Sequence, residues 1–133
     1  SLSEALKVNK TLREINLSCN LKIGDEGSIA LAEGLKINRS LEKLILSACG
    51  ISRVGAEALA ECFKKNSTLS TLHMEYNPIG KSGVKALLRD KPALDLRLEY
   101  NSIPQDVAQE AVDDFIKDSD PLHTSFELEN KKI

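Results

Sequence analysis

Apolar and polar residues follow one recurring order along the chain. Four segments carry leucine or another apolar residue at their first, fourth and sixth positions and Asn or Cys at their ninth, and they begin at Leu12, Leu41, Leu69 and Ala93. The starts lie 29, 28 and 24 residues apart. Alternating apolar and polar residues in the middle of a segment are typical of a short strand. The pattern therefore predicts four repeats of similar length with one strand in each.

A helical pattern follows each strand pattern. After Gly27, Gly55 and Gly83, alanines, leucines and one phenylalanine recur at helical spacing, which predicts an amphipathic helix beginning after each glycine. In the fourth unit the same places are taken by Val107, Ala111, Val112 and Phe115. Leu2 and Leu6 take the places of Leu31 and Leu35, so residues 1–9 are predicted to be the end of a further helix.

These units resemble the leucine-rich repeat proteins of the ribonuclease-inhibitor-like subclass. The resemblance rests on the period, on the Asn or Cys that ends each strand segment, and on the turn Ile23-Gly24-Asp25-Glu26-Gly27. The repeats are most similar to those of NOD-like receptors, and the Ran GTPase-activating protein and tropomodulin share the subclass. The resemblance implies an α/β solenoid, a right-handed horseshoe segment with parallel strands on its concave side and helices on its convex side.

The chain is predicted to divide into residues 1–117, a partial first helix and about four repeats, and residues 118–133. The second range is interpreted as a C-terminal tail or as a degenerate capping strand at about 122–129, with Phe126 and Leu128 facing inward. Pro92 should end the third helix near Asp90. Because the first strand has an open edge and end repeats need a cover, we expect further repeats upstream in a longer parent protein.

Asparagines recur at two places in the repeat. Asn20, Asn77 and Asn101 end strand segments, where an amide side chain is expected to bond the backbone of adjacent turns, and Cys49 replaces one of them with a weaker thiol donor. Asn9, Asn38 and Asn66 begin glycosylation sequons but lie three residues before a repeat's first leucine. We interpret them as helix-terminal residues in the left-handed conformation rather than as glycosylation sites.

Charge and composition exclude several classes of partner. The 133 residues include 18 Lys and Arg against 20 Asp and Glu, without a basic block, which argues against nucleic acid binding. No apolar run reaches the ~20 residues of a membrane span. Three cysteines in no metal-binding or redox spacing indicate free thiols, a reducing compartment and a cytoplasmic location.

Candidate catalytic and cofactor signals are weak. Gly80-Lys81-Ser82 resembles the end of a phosphate-binding loop, but Glu75 stands where that loop needs glycine. His73 and His123 are the only histidines, and no nucleophile is placed by motif beside either. The sequence therefore predicts a protein that is not an enzyme, with no cofactor, no metal and no small-molecule substrate.

The predicted binding surface follows from strand alternation. The third, fifth and seventh positions of each segment should point onto the concave face, with the eighth at its margin. In the first two strands these residues are mostly small, whereas the last two carry residue types that are common at binding hot spots. The predicted protein-binding residues are His73, Glu75, Tyr76, Arg97, Glu99 and Tyr100. A solvated surface without a partner is the alternative interpretation.

Three functions remain open at this point. The leading prediction is a non-catalytic scaffold that binds another protein through its concave face, within a larger cytosolic regulator or sensor. By resemblance, a GTPase activator of the Ran GTPase-activating protein type is one alternative, although no catalytic residue can be mapped onto this sequence. Actin-filament capping of the tropomodulin type is the other, although residues 118–133 lack the amphipathic terminal helix of that family.

Overall fold

Strands and helices alternate along the computed structural model, which describes residues 1–90, 94–99 and 126–127. The helices are α1 (Leu2–Val8), α2 (Gly24–Leu35), α3 (Arg53–Cys62) and α4 (Gly80–Asp90). The strands are β1 (Glu14–Asn16), β2 (Lys43–Ile45), β3 (Thr71–His73), β4 (Asp95–Arg97) and β5 (Phe126–Glu127). The predicted strands and a helix within residues 1–9 are confirmed, and α4 is described as far as Asp90. The predicted helix at Val107–Phe115 lies outside the described residues.

The strands form one parallel sheet in the order β1-β2-β3-β4-β5. Ile15 pairs with Leu44, Leu44 with Leu72, and Leu72 with Leu96, so each step across the sheet advances the chain by one repeat. The register also pairs Leu96 with Phe126, which lies within the range where a fifth strand was predicted. The rest of that range lies outside the described residues, and the division of the chain after residue 117 stays a prediction.

The core lies between the sheet and the helices. Leu44, Leu72 and Leu96 stack in register and are fully buried, and helix residues such as Leu35 and Leu59 close the other side. Burying a leucine of this kind contributes about 1.5–3 kcal/mol relative to leaving it in water. One strand and one helix cannot bury their own apolar sides, so the stack of repeats is the folding unit. No helix in the described part of the chain combines the length and apolar character needed to cross a bilayer.

The asparagine that ends a strand segment bonds the backbone of two repeats. Asn77 Oδ1 accepts hydrogen bonds from the N–H groups of Cys49 and Ile51 at 2.9 and 3.1 Å. Its Nδ2 lies 2.8 Å from Leu46 O and 3.1 Å from Met74 O. Asn77 is fully buried, so its amide replaces water for backbone groups that could not otherwise be satisfied. The predicted role of Asn77 is confirmed.

Cys49 takes the same place in the second repeat. Its Sγ donates to Leu17 O at 3.1 Å, which confirms the predicted weak donor. Burial raises the pKa of the Cys49 thiol, which keeps the proton that this hydrogen bond needs at neutral pH. The side chain of Asn20, the equivalent residue of the first repeat, donates within the described residues to Leu17 O and Ser18 O of its own repeat, and the Asn20 backbone N–H donates to the Cys49 thiol.

A second asparagine ladder runs along the helix ends. Asn66 Nδ2 donates to Leu35 O and Asn38 O at 2.7 and 3.0 Å, and its Oδ1 accepts from the N–H of Leu69 at 2.9 Å. Asn38 makes the equivalent bonds one repeat earlier. The left-handed interpretation of these asparagines is wrong: neither has a positive φ, and Asn9 is extended at φ −74° and ψ 133°. They are placed for inter-repeat hydrogen bonds.

The helices also begin earlier than the pattern predicted. They start two or three residues before Gly27, Gly55 and Gly83, so these glycines lie inside the first turns. A Cβ on Gly55 would lie 2.7 Å from Asp25 Oδ1 and 3.0 Å from Ser28 Cβ on α2. Glycine is therefore required there by the close approach of α2 and α3, not by the start of a helix.

Asp25 joins α2 to the start of α3. Its Oδ1 accepts from the N–H groups of Ser52 and Gly55 at 2.8 and 3.0 Å, and its Oδ2 accepts from Ser52 Oγ. Burial alone would raise the pKa of Asp25, but the three hydrogen bonds outweigh that effect and lower it. Ser52 is the N-cap of α3 and accepts from Val54 N, so Asp25 and Ser52 together cap this helix.

We expect Asp25→Asn to lower the free energy of unfolding at pH 7 by about 1 kcal/mol, the usual size of a lost cap interaction. Because the folded-state pKa of Asp25 lies below the unfolded value, its contribution is present above the unfolded pKa and is lost as pH falls through the folded one. Urea unfolding at pH 7 and pH 3 should therefore show a smaller acid loss in Asp25→Asn than in wild type. Glu26→Gln, an exposed neighbour on the same turn, is the control; equal acid losses in Asp25→Asn and wild type would contradict this role.

Candidate protein-binding face

The outward side chains of the strands alternate with the buried leucines as predicted. In β3 and the residues after it, Leu72 and Met74 are buried whereas His73 and Glu75 are partly exposed. We use the name late concave face for His73, Glu75, Tyr76, Arg97 and Glu99. The sidedness that the sequence predicted for these five residues is confirmed; their role in binding stays a prediction.

His73 and Arg97 are direct neighbours across β3 and β4. The register pairs them, so two basic side chain types follow one another along the fifth position of the repeat. In the two preceding strands the same row carries Asn16 and Ile45. The row therefore changes from Asn16 and Ile45 to a histidine and an arginine toward the later repeats, on strands that are paired at every step.

Glu75 is held by two neighbours. Ser47 Oγ, one repeat earlier, donates to Glu75 Oε1 at 2.8 Å, and His73 Nδ1 lies 3.8 Å from Glu75 Oε2. The side chains of His73 and Glu75 are only 18% and 14% exposed. The structure shows Glu75 bonded to Ser47 and close to His73, and the suggestion that Arg97 offsets Glu75 and Glu99 stays a prediction. The Glu75 carboxylate is thus fixed in direction before any partner arrives.

Arg97 lies against an acidic residue of its own strand. Arg97 Nε is 3.6 Å from Asp95 Oδ1, and both side chains remain about one third exposed. Such a partly exposed pair contributes little to folding stability, about 0–1 kcal/mol. An arginine side chain can donate several hydrogen bonds in a fixed geometry, which suits it to recognition of a partner.

Tyr76 is the most exposed residue of the late concave face, at 56%. It has a positive φ of 61°, as do Cys19 and Ala48 at the same repeat position, with φ values of 67° and 53°. Its N–H donates to Glu99 O at 2.8 Å, which fixes the backbone on which the ring is carried. A large, exposed aromatic side chain on an ordered backbone is typical of a binding hot spot.

The structure thus places five of the six predicted residues on the adjacent strands β3 and β4 and the turns after them. Tyr100, the sixth, lies outside the described residues, as does its predicted contact with Tyr76. Sequence reasoning placed Ser47 and Asp95 on this face but not among the binding residues; Ser47 donates to Glu75, and Asp95 lies beside Arg97. Both occupy outward repeat positions. Their position beside a predicted binding residue could have identified them from the sequence.

The chemical groups of the late concave face are those of side chains that can contact another protein. In the ranges that the structure describes, no group of three or more His, Cys, Asp and Glu side chains is placed to hold a metal ion. Gly80, Lys81 and Ser82 form the first turn of α4. The late concave face presents cationic, anionic and aromatic groups side by side, the combination found where proteins bind proteins.

Comparison with known proteins identifies the repeats. The family model for the leucine-rich repeat matches residues 8–32, 38–60 and 65–88. The chain is 42% identical over 98 residues to mouse centrosomal protein of 78 kDa, covering 70% of this chain and 12% of that protein. It is 38% identical over 100 residues to human NACHT, LRR and PYD domains-containing protein 12, covering 73% and 9%. Mouse ribonuclease inhibitor is 33% identical over 99 residues, covering 74% and 22%.

Solved structures show the same fold at lower sequence identity. The actin-binding site 2 of leiomodin-1 superposes with a TM-score of 0.81 at 20% identity, covering 97% of this chain and 78% of that one. The tropomodulin C-terminal domain of Caenorhabditis elegans gives a TM-score of 0.77 at 17% identity, covering 100% and 86%. At this identity the likeness is one of fold.

The matched repeats account for most of the described chain, and the chain spans between about a tenth and a quarter of the curated relatives named above. Their period, parallel register and asparagine or cysteine rungs are those expected of the ribonuclease-inhibitor-like subclass. Similarity to ribonuclease inhibitor and to a NACHT-containing protein agrees with the resemblance inferred from the sequence. The chain belongs to the leucine-rich repeat family, with repeats of the ribonuclease-inhibitor-like type similar to those of NOD-like receptors.

Proposed function

We propose that this chain is a non-catalytic protein-interaction module that binds a partner protein through its late concave face. We further propose that it works within a larger cytoplasmic regulatory or sensor protein that contributes other repeats. The observation that supports the proposal is the cluster on β3, β4 and the turns after them, where Ser47 donates to Glu75, His73 lies beside Glu75, and the N–H of Tyr76 donates to Glu99 O.

A fixed cluster of this kind lowers the cost of binding. Side chains that are ordered before binding lose less conformational entropy when the partner arrives, which leaves more of the contact energy as affinity. Tyr76 supplies apolar area, and Arg97 supplies charge-assisted hydrogen bonds. The early part of the same face, with Asn16 and Ser18, carries neither a tyrosine nor an arginine and therefore serves as the internal control.

The two alternative functions receive no comparable support. The likeness to leiomodin-1 and tropomodulin is of fold, at 20% and 17% identity, and does not extend to the actin binding named for the first. The GTPase-activator alternative rests on the resemblance of the sequence alone. The relatives named above are large proteins of which this repeat array forms a part, and this favours a module within a regulator.

The proposal is tested by affinity capture from a lysate with three baits. These are wild type, a late-face variant (His73→Ala, Tyr76→Ala, Arg97→Ala) and an early-face variant (Glu14→Ala, Asn16→Ala, Ser18→Ala). Alanine at position 76 is compatible with the fold because Ala48 already adopts the same left-handed conformation at the equivalent position. Circular dichroism and urea unfolding check that all three baits are folded.

We expect a partner protein to be retained by wild type and the early-face variant and to be lost by the late-face variant. With that partner purified, Tyr76→Ala alone should weaken binding about tenfold or more, the lower range for a hot-spot tyrosine. Equal retention by all three baits would place binding elsewhere on the chain. Retention lost only by the early-face variant would contradict the assignment to the later repeats.

A further inference from the structure

Two cysteines lie in adjacent turns of the stack, after β1 and β2. Cys19 takes the eighth position of its repeat, and Cys49 takes the ninth position of the next repeat, 30 residues later. The N–H of Cys19 donates to Ser47 O at 2.9 Å, so the parallel pairing of the strands continues into these turns. The two turns therefore lie side by side, at about the 4.8 Å spacing of neighbouring strands.

The sulfur of Cys49 points into the turn that carries Cys19. Cys49 Sγ donates to Leu17 O at 3.1 Å. It also lies 3.5 Å from Ser47 O, the oxygen atom that accepts from the N–H of Cys19. The backbone N–H of Asn20 donates to the same sulfur. Cys49 Sγ therefore lies against the backbone just before and just after Cys19.

This placement is compatible with a covalent bond between the two sulfurs. Disulfides join cysteines whose Cα atoms are about 4.4–6.8 Å apart, a range that includes the spacing of neighbouring parallel chains. Cys49 is held in place by its hydrogen bonds, and its sulfur already faces the backbone of Cys19. Rotation of the exposed Cys19 side chain about its Cα–Cβ bond is therefore the movement that we expect to close the bond.

The two thiols differ in their access to solutes. Cys19 is exposed, whereas Cys49 is buried. Burial raises the pKa of the Cys49 thiol, and a charge on Cys19 raises it further. Because the thiolate is the form that reacts with oxidants, and because access is needed as well, Cys19 is the thiol that an oxidant from solvent oxidises first.

We propose that Cys19 and Cys49 form a peroxide-responsive thiol pair that closes into a disulfide between the first two repeats. The Cys19 thiolate attacks one oxygen of hydrogen peroxide and the O–O bond breaks, which leaves a sulfenic acid on Cys19. The departing hydroxide takes up the proton that Cys19 released when it ionised. The Cys49 sulfur then attacks the Cys19 sulfur, and the S–S bond forms as the S–O bond breaks. The Cys49 proton leaves with the hydroxyl group as water, so one peroxide is reduced to two waters.

This modification goes beyond the proposed function and does not depend on it. The disulfide replaces the hydrogen bond from Cys49 to Leu17 O with a covalent link between two repeats. A link of this kind limits the freedom of the unfolded chain, so the oxidised protein should unfold at a higher urea concentration than the reduced one. Both cysteines lie in the first two repeats, whereas the late concave face belongs to β3 and β4.

The test oxidises the full chain with hydrogen peroxide in native buffer at low protein concentration. Remaining thiols are then blocked with N-ethylmaleimide in urea, and the chain is digested without reductant for mass spectrometry. We expect an intact mass that has lost two hydrogen atoms, a Cys19–Cys49 linked peptide as the main product, and the label on Cys62. Dithiothreitol should restore labelling of all three cysteines.

Oxidation of the urea-unfolded chain is the matched control for the role of the fold. Without the fold, linkage should follow loop length, and Cys49 and Cys62 are then the closest pair, 13 residues apart. A change of main product from Cys49–Cys62 in urea to Cys19–Cys49 in native buffer would show that the adjacent turns direct the bond.

Two variants separate the steps. Cys49→Ser keeps a hydroxyl that can donate to Leu17 O, and it should leave a sulfenic acid on Cys19 that dimedone labels. Cys19→Ala should leave Cys49 reduced after the same treatment. Alanine is compatible with the backbone at position 19, because Ala48 has a similar positive φ at the equivalent position.

Several results would overturn the proposal. Dimedone-labelled Cys19 beside reduced Cys49 in the wild type would show that the two sulfurs do not meet. A main product of Cys49–Cys62 in native buffer, or a Cys19–Cys19 dimer, would show that the adjacent turns do not direct the bond. An oxidised chain that unfolds at a lower urea concentration than the reduced chain would show that the link does not fit the folded turns.

Discussion

Replacing Asn77 by alanine should lower the free energy of unfolding by about 3–5 kcal/mol. The substitution leaves the N–H groups of Cys49 and Ile51 and the carbonyls of Leu46 and Met74 without their side-chain partner in a fully buried place. An unsatisfied buried polar group costs about 1–3 kcal/mol, and relaxation or an entering water lowers the total. Because small domains are stable by only about 5–15 kcal/mol, this is a large fraction of the whole.

Urea unfolding of three variants measures the effect. Asn20→Ala is the matched control, because the Asn20 side chain is exposed and its hydrogen bonds in the described residues are to its own repeat, and the substitution should cost less than about 1 kcal/mol. Asn77→Cys should fall between wild type and Asn77→Ala, since the thiol of Cys49 already fills this position with one donor. Equal losses for Asn77→Ala and Asn20→Ala would contradict the ladder as a source of stability.

The sheet could be predicted from the sequence because residues at equivalent positions of successive repeats pair with one another. Once Leu44 and Leu72 are assigned the same repeat position, their pairing follows, and so does the outward direction of His73. The face that carries the candidate site was therefore predictable by position. The contacts within it were not, because the choice of Ser47 and His73 as partners of Glu75 depends on side-chain rotamers.

Other features were missed because they depend on contacts between two adjacent repeats. Considered alone, Asn38 and Asn66 fit a helix end, and only the stacked neighbour reveals the carbonyls that they bond. The left-handed backbone at Ala48 and Tyr76 had no signal in residue type, since neither alanine nor tyrosine favours positive φ. It is imposed by the hydrogen bonds of the turn to the next repeat, which fix the same backbone in each unit.

Gly50→Ala should cost about 3 kcal/mol, whereas Gly80→Ala should cost only about 1 kcal/mol. Both glycines have the same left-handed backbone, at φ 69° and 68°, so both substitutions incur the ~1–2 kcal/mol steric penalty of an L-residue there. They differ in their surroundings. A Cβ at position 50 would lie 2.8 Å from the backbone oxygen of Leu21, whereas one at position 80 would meet nothing within 4 Å.

The contact at Gly50 is with backbone of the preceding repeat, so a rotamer change cannot relieve it. The turn at Leu21 must move, and that movement strains the hydrogen bond from Gly24 N to Cys49 O, now 2.9 Å long. Overpacking of this kind typically adds about 1–3 kcal/mol. Urea unfolding of the two variants isolates this contribution, because the backbone penalty is common to both. Equal losses would mean that adjacent repeats can separate at this turn without cost, and the stack would then depend on its leucines and asparagine ladders alone.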